Sequence, residues 1–276
     1  MSDREIMNAK SSFPSHLHEM NGYEYTYRNL LRKILDNGIH RDDRTGVGCK
    51  SLFNLSLEVD VSDKFPILTG RRMYPKIFNT EFNWLINGET NIKRFQDAGV
   101  TIWDEWADKN GDLGPVYGHQ LRNFNSQGKD QLEDTIRGLR INPDGRRHVI
   151  SLWNPAQLEE MALPPCYLYF QFFVDGDKLN MFVVQRSGDM FLGVPYDMAL
   201  FTLILNHVAE RTFLKPSKLA LNIIDAHIYD NQFEAVKDYL DQSVTMSPSY
   251  MYSSLDSAVT LQDYKPGKRI TAPVAI

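Results

Sequence analysis

The stretch ALPPCYLYFQFFVDGDKLNMFVVQRSGDMFLGVPYDMA, Ala162 to Ala199, decides the fold. It holds two β-rich runs, CYLYFQFFV and KLNMFVVQRS, joined by Asp175-Gly176-Asp177, a strong hairpin signal. The chain then enters YDMALFTLILNHVAERTFL, apolar nearly all round, which marks a buried helix. HVISLWN before it and LALNIIDAHIY after it read as further strands. The expectation is a mainly antiparallel sheet packed with helices, an α+β arrangement within the α/β class. Three residues do not suit a purely structural stretch: Cys166, Arg186 and Asp197.

Outward from that stretch, Tyr27, Leu30, Leu31, Ile34 and Leu35 recur at helical spacing, and Asn37-Gly38 ends the helix. CKSLFNLSLEVDV alternates as a strand does, while PKIFNTEFNWLING and QLEDTIRGLRINPDG read as helices closed by turns. Residues 1–20 are polar and mixed, a loose arm, and residues 21–276 form a single domain. The tail beyond Ser253 is punctuated by Pro and Gly. There are no repeats, low-complexity tracts or linkers.

With 276 residues, one large domain is the first expectation. Apolar and charged fractions of 42% and 24% are those of an ordinary globular protein, and a net charge of −5 argues against non-specific nucleic-acid or membrane binding. Cys49 and Cys166 make neither a disulfide framework nor a metal-ligand spacing. The first residues lack an apolar signal core, and MALFTLIL is too short to span a membrane. These features read as a protein of the reducing cytoplasm, with no metal.

Cys166 follows Pro164-Pro165, which fix the chain and would hold a nucleophile still; the bland alternative is a small core residue. Cys49 has no such setting and reads as structural. Most arginines are solvated surface charges, but Arg186 lies between MFVVQ and MFLG, an apolar context that wants a fixed anion. GVG after Arg44 is a turn and lacks the dinucleotide-binding spacing. DKNGDL, Asp108 to Leu113, imitates a calcium loop but has its glycine misplaced and His119 where the closing glutamate belongs. Asp225 and His227 share a strand face; a Cys-His hydrolase built with Cys166 has no local support.

Together the segments DRTG, WLINGETNI, TIWDEWADKNGDLGPVYGHQ, NPDGRR, LPPC, QRSGDMFLGVP, DAHIY and APVAI, in this order, make the chain resemble the thymidylate synthase family over nearly its whole length. The resemblance implies a large twisted, mostly antiparallel sheet and a homodimer formed sheet against sheet. It implies one-carbon transfer from 5,10-methylenetetrahydrofolate to C5 of a pyrimidine nucleotide monophosphate. Cys166 then matches the nucleophile that adds to C6 of the base. Arg44, Arg186 and Ser187 match phosphate ligands, and Arg146 and Arg147 match the pair that reaches the phosphate from the other subunit. Glu81 matches the group organising water and protons, Tyr117 the group assisting C5 proton removal, and His227 and Tyr229 the sugar ligands. Gln185, Tyr167 and Asp197 fall on the substrate side. Ile102, Trp103, Asp189, Leu192, Gly193, Tyr196 and Arg71 match the folate pocket, with Asp189 as pterin partner. Val274, Ala275 and Ile276 match the tail that closes over it.

The chain departs from the pattern of enzymes acting on dUMP. Phe-Asn of that pattern is Tyr196-Asp197, its histidine after the nucleophile is Tyr167, and its Gly-Gly before DAH is Ile223-Ile224. The lysine of the family's TTKR stretch is Arg71. An asparagine amide both donates and accepts, whereas an ionised aspartate only accepts. Asp197 therefore suits the 4-amino group and a protonated N3 of cytosine and penalises uracil, a kind of mismatch worth about 10⁴-fold. The bland alternative is a helix N-cap. The resemblance points to dCMP, with hydroxymethylation by water, as in bacteriophage enzymes that modify deoxycytidylate, ahead of methylation by hydride. Trp103 and the APVAI tail, which exclude water, favour methylation. A dUMP-methylating enzyme is the nearest rival, and a non-catalytic nucleotide- or RNA-binding relative is the rival of another class.

Overall fold

The computed structural model describes the backbone of residues 15–275 and side chains from Asn21 onward. Most of the arm expected over residues 1–20 lies outside the described residues, and from Ser15 the backbone is helical. Helix α1 (Ser15–Asn37) is interrupted at Asn21 by extended backbone, φ −164° and ψ 77°. It ends at Asn37-Gly38 as its spacing predicts.

Six strands form one sheet in the order β1-β2-β6-β5-β4-β3. They are β1 (Ile39–Arg41), β2 (Cys49–Asp60), β3 (Val149–Ser151), β4 (Tyr167–Asp175), β5 (Lys178–Asp189) and β6 (Lys215–Tyr229). Every pairing is antiparallel except β5 with β6. The β4–β5 hairpin closes between Asp175 and Lys178, and Gly176 takes φ 62°, which glycine adopts without steric cost. The parallel pair is joined through α6 (Val194–Thr212), whose buried residues include Met198, Phe201, Leu203 and Leu205. Its all-round apolar character follows from that central position.

One sheet face carries Leu179, Met181 and Val183 into the core, while the opposite face leaves Phe173, Phe182 and Ile224 exposed at 67%, 40% and 39%. Around the core lie α2 (Pro75–Ile86), α3 (Lys93–Ala98), α4 (Tyr117–Arg122), α5 (Gln131–Ile141) and α7 (Phe233–Leu240). Proline at the start of α2 suits a first helical turn, and Asp130 caps α5 by accepting from the Glu133 amide. Strands β7 (Ser249–Ser253) and β8 (Ala258–Gln262) form a separate hairpin across the start of the Pro- and Gly-punctuated tail, where the sequence reading names no strand. The Asn79 side chain on α2 holds that hairpin by bonding both the N–H and C=O of Val259, at 3.0 and 3.2 Å.

Glu24, fully buried, ties three distant segments together. Its carboxylate accepts from the Thr69 amide (2.6 Å) and hydroxyl (2.7 Å), the Gly70 amide (2.9 Å), the Tyr239 hydroxyl (2.6 Å) and Asn21 Nδ2 (3.0 Å). Truncation leaves these donors buried without an acceptor, each at a cost of about 1–3 kcal/mol before relaxation. Glu24→Ala is expected to lose about 3–5 kcal/mol of stability in denaturant titration; a loss under 1 kcal/mol would contradict this role.

Candidate active site

The site forms at one end of the sheet, where β5 and β6 finish and β4 begins. Register places Ser187 beside Asp225 and Asp189 beside His227. Cys166 immediately precedes β4; its C=O accepts from the Arg186 amide at 2.8 Å and its N–H donates to the Tyr117 hydroxyl at 2.8 Å. The Arg186 guanidinium donates to the carbonyls of Pro165 and Pro164, each at 2.8 Å. The Pro-Pro step thus fixes the cysteine backbone and holds a cation beside its sulfur. Burial pushes the Cys166 thiol up, while Arg186 and the Tyr117 hydroxyl pull it down and Asp197 adds to the rise.

Two carboxyl groups belong to these surroundings: the charge of Asp197 acts on the thiol, and Glu81 is coupled to Asp197. Glu81 on α2 is pushed up to about 8 by burial and then by the charge of Asp197. The Trp103 indole N–H draws it downward without closing a hydrogen bond, and that N–H has no partner. Asp197 is raised to about 7 by burial, opposed by a 2.6 Å hydrogen bond from Gln185 Nε2 and reinforced by Asp189. Like charges so placed titrate as a pair, so one proton is retained near neutrality. Asp197 is not the helix cap: that position is Gly193, and Asp197 lies four residues further, on the first turn of α6. The expectation of a fully ionised aspartate also changes, since a group near 7 offers a proton as well as an acceptor.

Aromatic rings wall the site. Tyr167 packs on Tyr117 at 4.4 Å between centroids and edge-on to Phe201 at 5.1 Å. Trp103 meets Tyr117 at 6.0 Å. A thiol with an adjacent cation, two proton-holding carboxyls and a tyrosine in one apolar recess can add to an electron-poor ring and move protons around it.

The thymidylate synthase family model matches residues 25–276. The chain belongs to the thymidylate synthase family. Folate-dependent transfer of a one-carbon unit to C5 of a pyrimidine nucleotide monophosphate is the reaction of that family, with 5,10-methylenetetrahydrofolate as co-substrate. The mixed α/β architecture and mostly antiparallel sheet agree with it.

Against this family background, the remaining residues divide into two groups. His227 is buried beside Asp225 (3.5 Å to Oδ1) and packs against Tyr229 at 4.9 Å. Arg44 is exposed in the turn before β2 and acts electrostatically on Tyr229. Arg146 and Arg147 are exposed and line a different groove of about 690 Å³ with Lys129, Arg137 and His148, none of them among the groups around Cys166. Among the described residues, Arg44, Arg146, Arg147 and Arg186 form no ion pair with a carboxylate. In an acidic protein, four arginines without carboxylate partners are available to an anion.

Of the residues that the resemblance assigns to the folate, Trp103 is buried with an orphaned N–H, and Ile102, Leu192 and Tyr196 are half-buried. Asp189 already accepts from the Phe191 and Leu192 amides (both 2.9 Å) and from Gln232 (2.8 Å), which fixes the turn leading to Gly193. Arg71 is buried, with its guanidinium on the Phe191 ring (4.3 Å) and bonded to the Phe191 carbonyl, so it supports this turn from beneath. Tyr27 reaches the adjacent Met190 carbonyl and was not singled out by sequence; its helical spacing reads only as core. Ala275 is half-buried and Val274 exposed, while Ile276 lies outside the described residues. No described helix is long and apolar enough to cross a membrane.

The raised carboxyl groups have a thermodynamic signature. With the folded-state value above the unfolded one, each binds more protons folded than unfolded, so its stability contribution is full below about pH 4 and falls as pH rises towards 7–8. Asp197→Asn removes that loss. Its Tm relative to wild type is expected to improve from pH 5 to pH 8; a difference independent of pH contradicts the burial argument.

Proposed function

We propose that the protein transfers the one-carbon unit to C5 of dCMP and releases 5-hydroxymethyl-dCMP. The observation that carries this reading is Asp197, held by Gln185 in the recess that contains Cys166, Glu81 and Tyr167, with a proton affinity near neutrality. A neutral carboxyl donates to cytosine N3 while its carbonyl oxygen accepts from the 4-amino group. Transfer of the proton to N3 leaves a charge-assisted pair and draws electrons from C6. Uracil N3 already carries a proton and cannot take another, so activation of C6 by this route is specific to cytosine.

In this reading the Cys166 thiolate, favoured by Arg186, adds to C6 and makes C5 nucleophilic. Bound 5,10-methylenetetrahydrofolate supplies the carbon that C5 attacks. Tyr117 assists removal of the C5 proton; the electron pair so released would form the exocyclic methylene as the carbon–nitrogen bond to the folate breaks. Water then gives hydroxymethyl; hydride would give methyl. Arg44, Arg186 and Ser187 hold the phosphate from one subunit, and His227 and Tyr229 hold the sugar. Arg146 and Arg147 come from a second copy, since within one chain they line a separate groove. The exposed apolar face bearing Phe173, Phe182 and Ile224 is the surface that copy covers. The protein works in the cytoplasm on free nucleotide, without nucleic acid.

The direct test is incubation with methylenetetrahydrofolate and dCMP or dUMP, followed by product mass. The reading expects a hydroxymethyl product from dCMP; turnover of dUMP alone overturns it in favour of thymidylate synthesis. Asp197→Asn is expected to lower the dCMP-to-dUMP ratio of kcat/KM by at least about 10²-fold, and an unchanged ratio would remove Asp197 from substrate choice. For the dimer, Cys166→Ser and the double variant Arg146→Ala/Arg147→Ala are each expected to be inactive. Mixing after reversible dissociation should restore about a quarter of wild-type activity, because half of the dimers then carry one complete site. No recovery would place both arginines in their own subunit's site.

A further inference from the structure

We infer that Tyr167 is the positioning residue that selects hydroxymethylation, its hydroxyl holding the water that attacks the C5 methylene. This rests on the dCMP reading above and adds to it the origin of the product.

Tyr167 is 4% exposed, and its ring packs against those of Tyr117, Phe170 and Phe201. Yet its hydroxyl makes no hydrogen bond within the described protein, and it is not among the sealed atoms that lack a partner. A tyrosine buried this deeply ordinarily finds a partner for its hydroxyl. Here the hydroxyl opens into the recess, and the charges that act on it are those of Tyr117, Glu81, Asp197 and Cys166. The Tyr167 hydroxyl thus shares its electrostatic surroundings with the Cys166 thiol.

Glu81 is in the same condition. It is 9% exposed and has no closed hydrogen bond, since the Trp103 indole facing it remains unpartnered. A buried water needs two to four polar partners. The Tyr167 hydroxyl and the Glu81 carboxyl supply two, with Asp197 in the same field. Burial keeps the Tyr167 hydroxyl protonated, so it acts as hydrogen-bond donor or acceptor and not as a base. In its ionised form, which a group near 8 populates in part at neutral pH, Glu81 is the base.

The step balances without a redox partner. The water oxygen bonds to the exocyclic methylene carbon, and the water proton passes to the Glu81 carboxylate. The electron pair of the exocyclic C=C moves into the ring, re-forms C5=C6 and expels the Cys166 sulfur as thiolate. The folate leaves unoxidised, and the nucleotide carries CH2OH. Where no group holds water against the methylene, hydride transfer is the remaining exit.

The test uses the intact enzyme with dCMP tritiated at C5, methylenetetrahydrofolate and mass analysis of products. Tritium release reports formation of the methylene; hydroxymethyl yield reports its capture by water. Tyr167→Phe keeps the ring and removes the oxygen. The expected result is a ratio of hydroxymethyl product to tritium released that falls at least about tenfold, with methyl product or a persistent Cys166 adduct taking up the difference. Tyr167→His, which installs the residue of the dUMP-methylating pattern, should leave the ratio low. An unchanged ratio in Tyr167→Phe, or an equal fall of tritium release and product that leaves it constant, overturns the assignment. If wild-type enzyme makes only methyl-dCMP, or acts only on dUMP, the underlying reading fails as well, and the wild-type product reveals that independently of the variants.

Discussion

A parallel strand pair cannot be closed by a hairpin, and the pairing of β5 with β6 governs how this molecule is built. The chain must leave the end of β5, cross the sheet and return, and the crossing element is the buried helix α6. That route places the first turn of α6, with Asp197, beside the end of β5, with Gln185, Arg186 and Ser187. Antiparallel β4 starts at the same end, with Cys166 at its entrance. The Cys166 thiol, the Arg186 cation and the Asp197 carboxyl meet because one crossover brings them together.

The apolar environment that stabilises this crossover also sets the chemistry. The rings of Phe170, Phe201, Tyr117, Tyr167 and Trp103 exclude bulk solvent from the recess, which raises the proton affinity of Glu81 and Asp197. In water both groups would be ionised at neutral pH. Here burial shifts both towards retaining a proton near neutrality. Arg186 counters the same burial at Cys166, and the two proline carbonyls that orient it add no negative charge that would cancel its effect.

The sequence made the main elements legible where local pattern and tertiary role agree. Alternation in Cys49–Asp60, the Asp175–Asp177 turn and the apolar Val194–Thr212 segment each predict the element that forms. Short helices such as Tyr117–Arg122 and the Ser249–Gln262 hairpin escaped detection because their stability comes from contacts distant in sequence, Asn79 with Val259 among them. Cys166 and Arg186 were visible as misfits in apolar runs. Glu24, Tyr27 and Gln232 were not, because a buried acceptor or donor has no sequence signature until its partners are folded around it. The proton on Asp197 was likewise invisible: residue type gives the functional group, but only its surroundings give its charge.

The central claim is that Cys166 attacks C6 of a cytosine ring chosen by Asp197. A fluorine at C5 cannot depart as a cation, so a 5-fluoro nucleotide stalls the reaction with the C6–sulfur bond intact. The decisive measurement is peptide mass analysis after incubation with methylenetetrahydrofolate and either 5-fluoro-dCMP or 5-fluoro-dUMP. The account predicts a covalent adduct on the peptide containing Cys166 with the cytosine compound and little with the uracil compound. An adduct with 5-fluoro-dUMP alone, or on any residue other than Cys166, would contradict it.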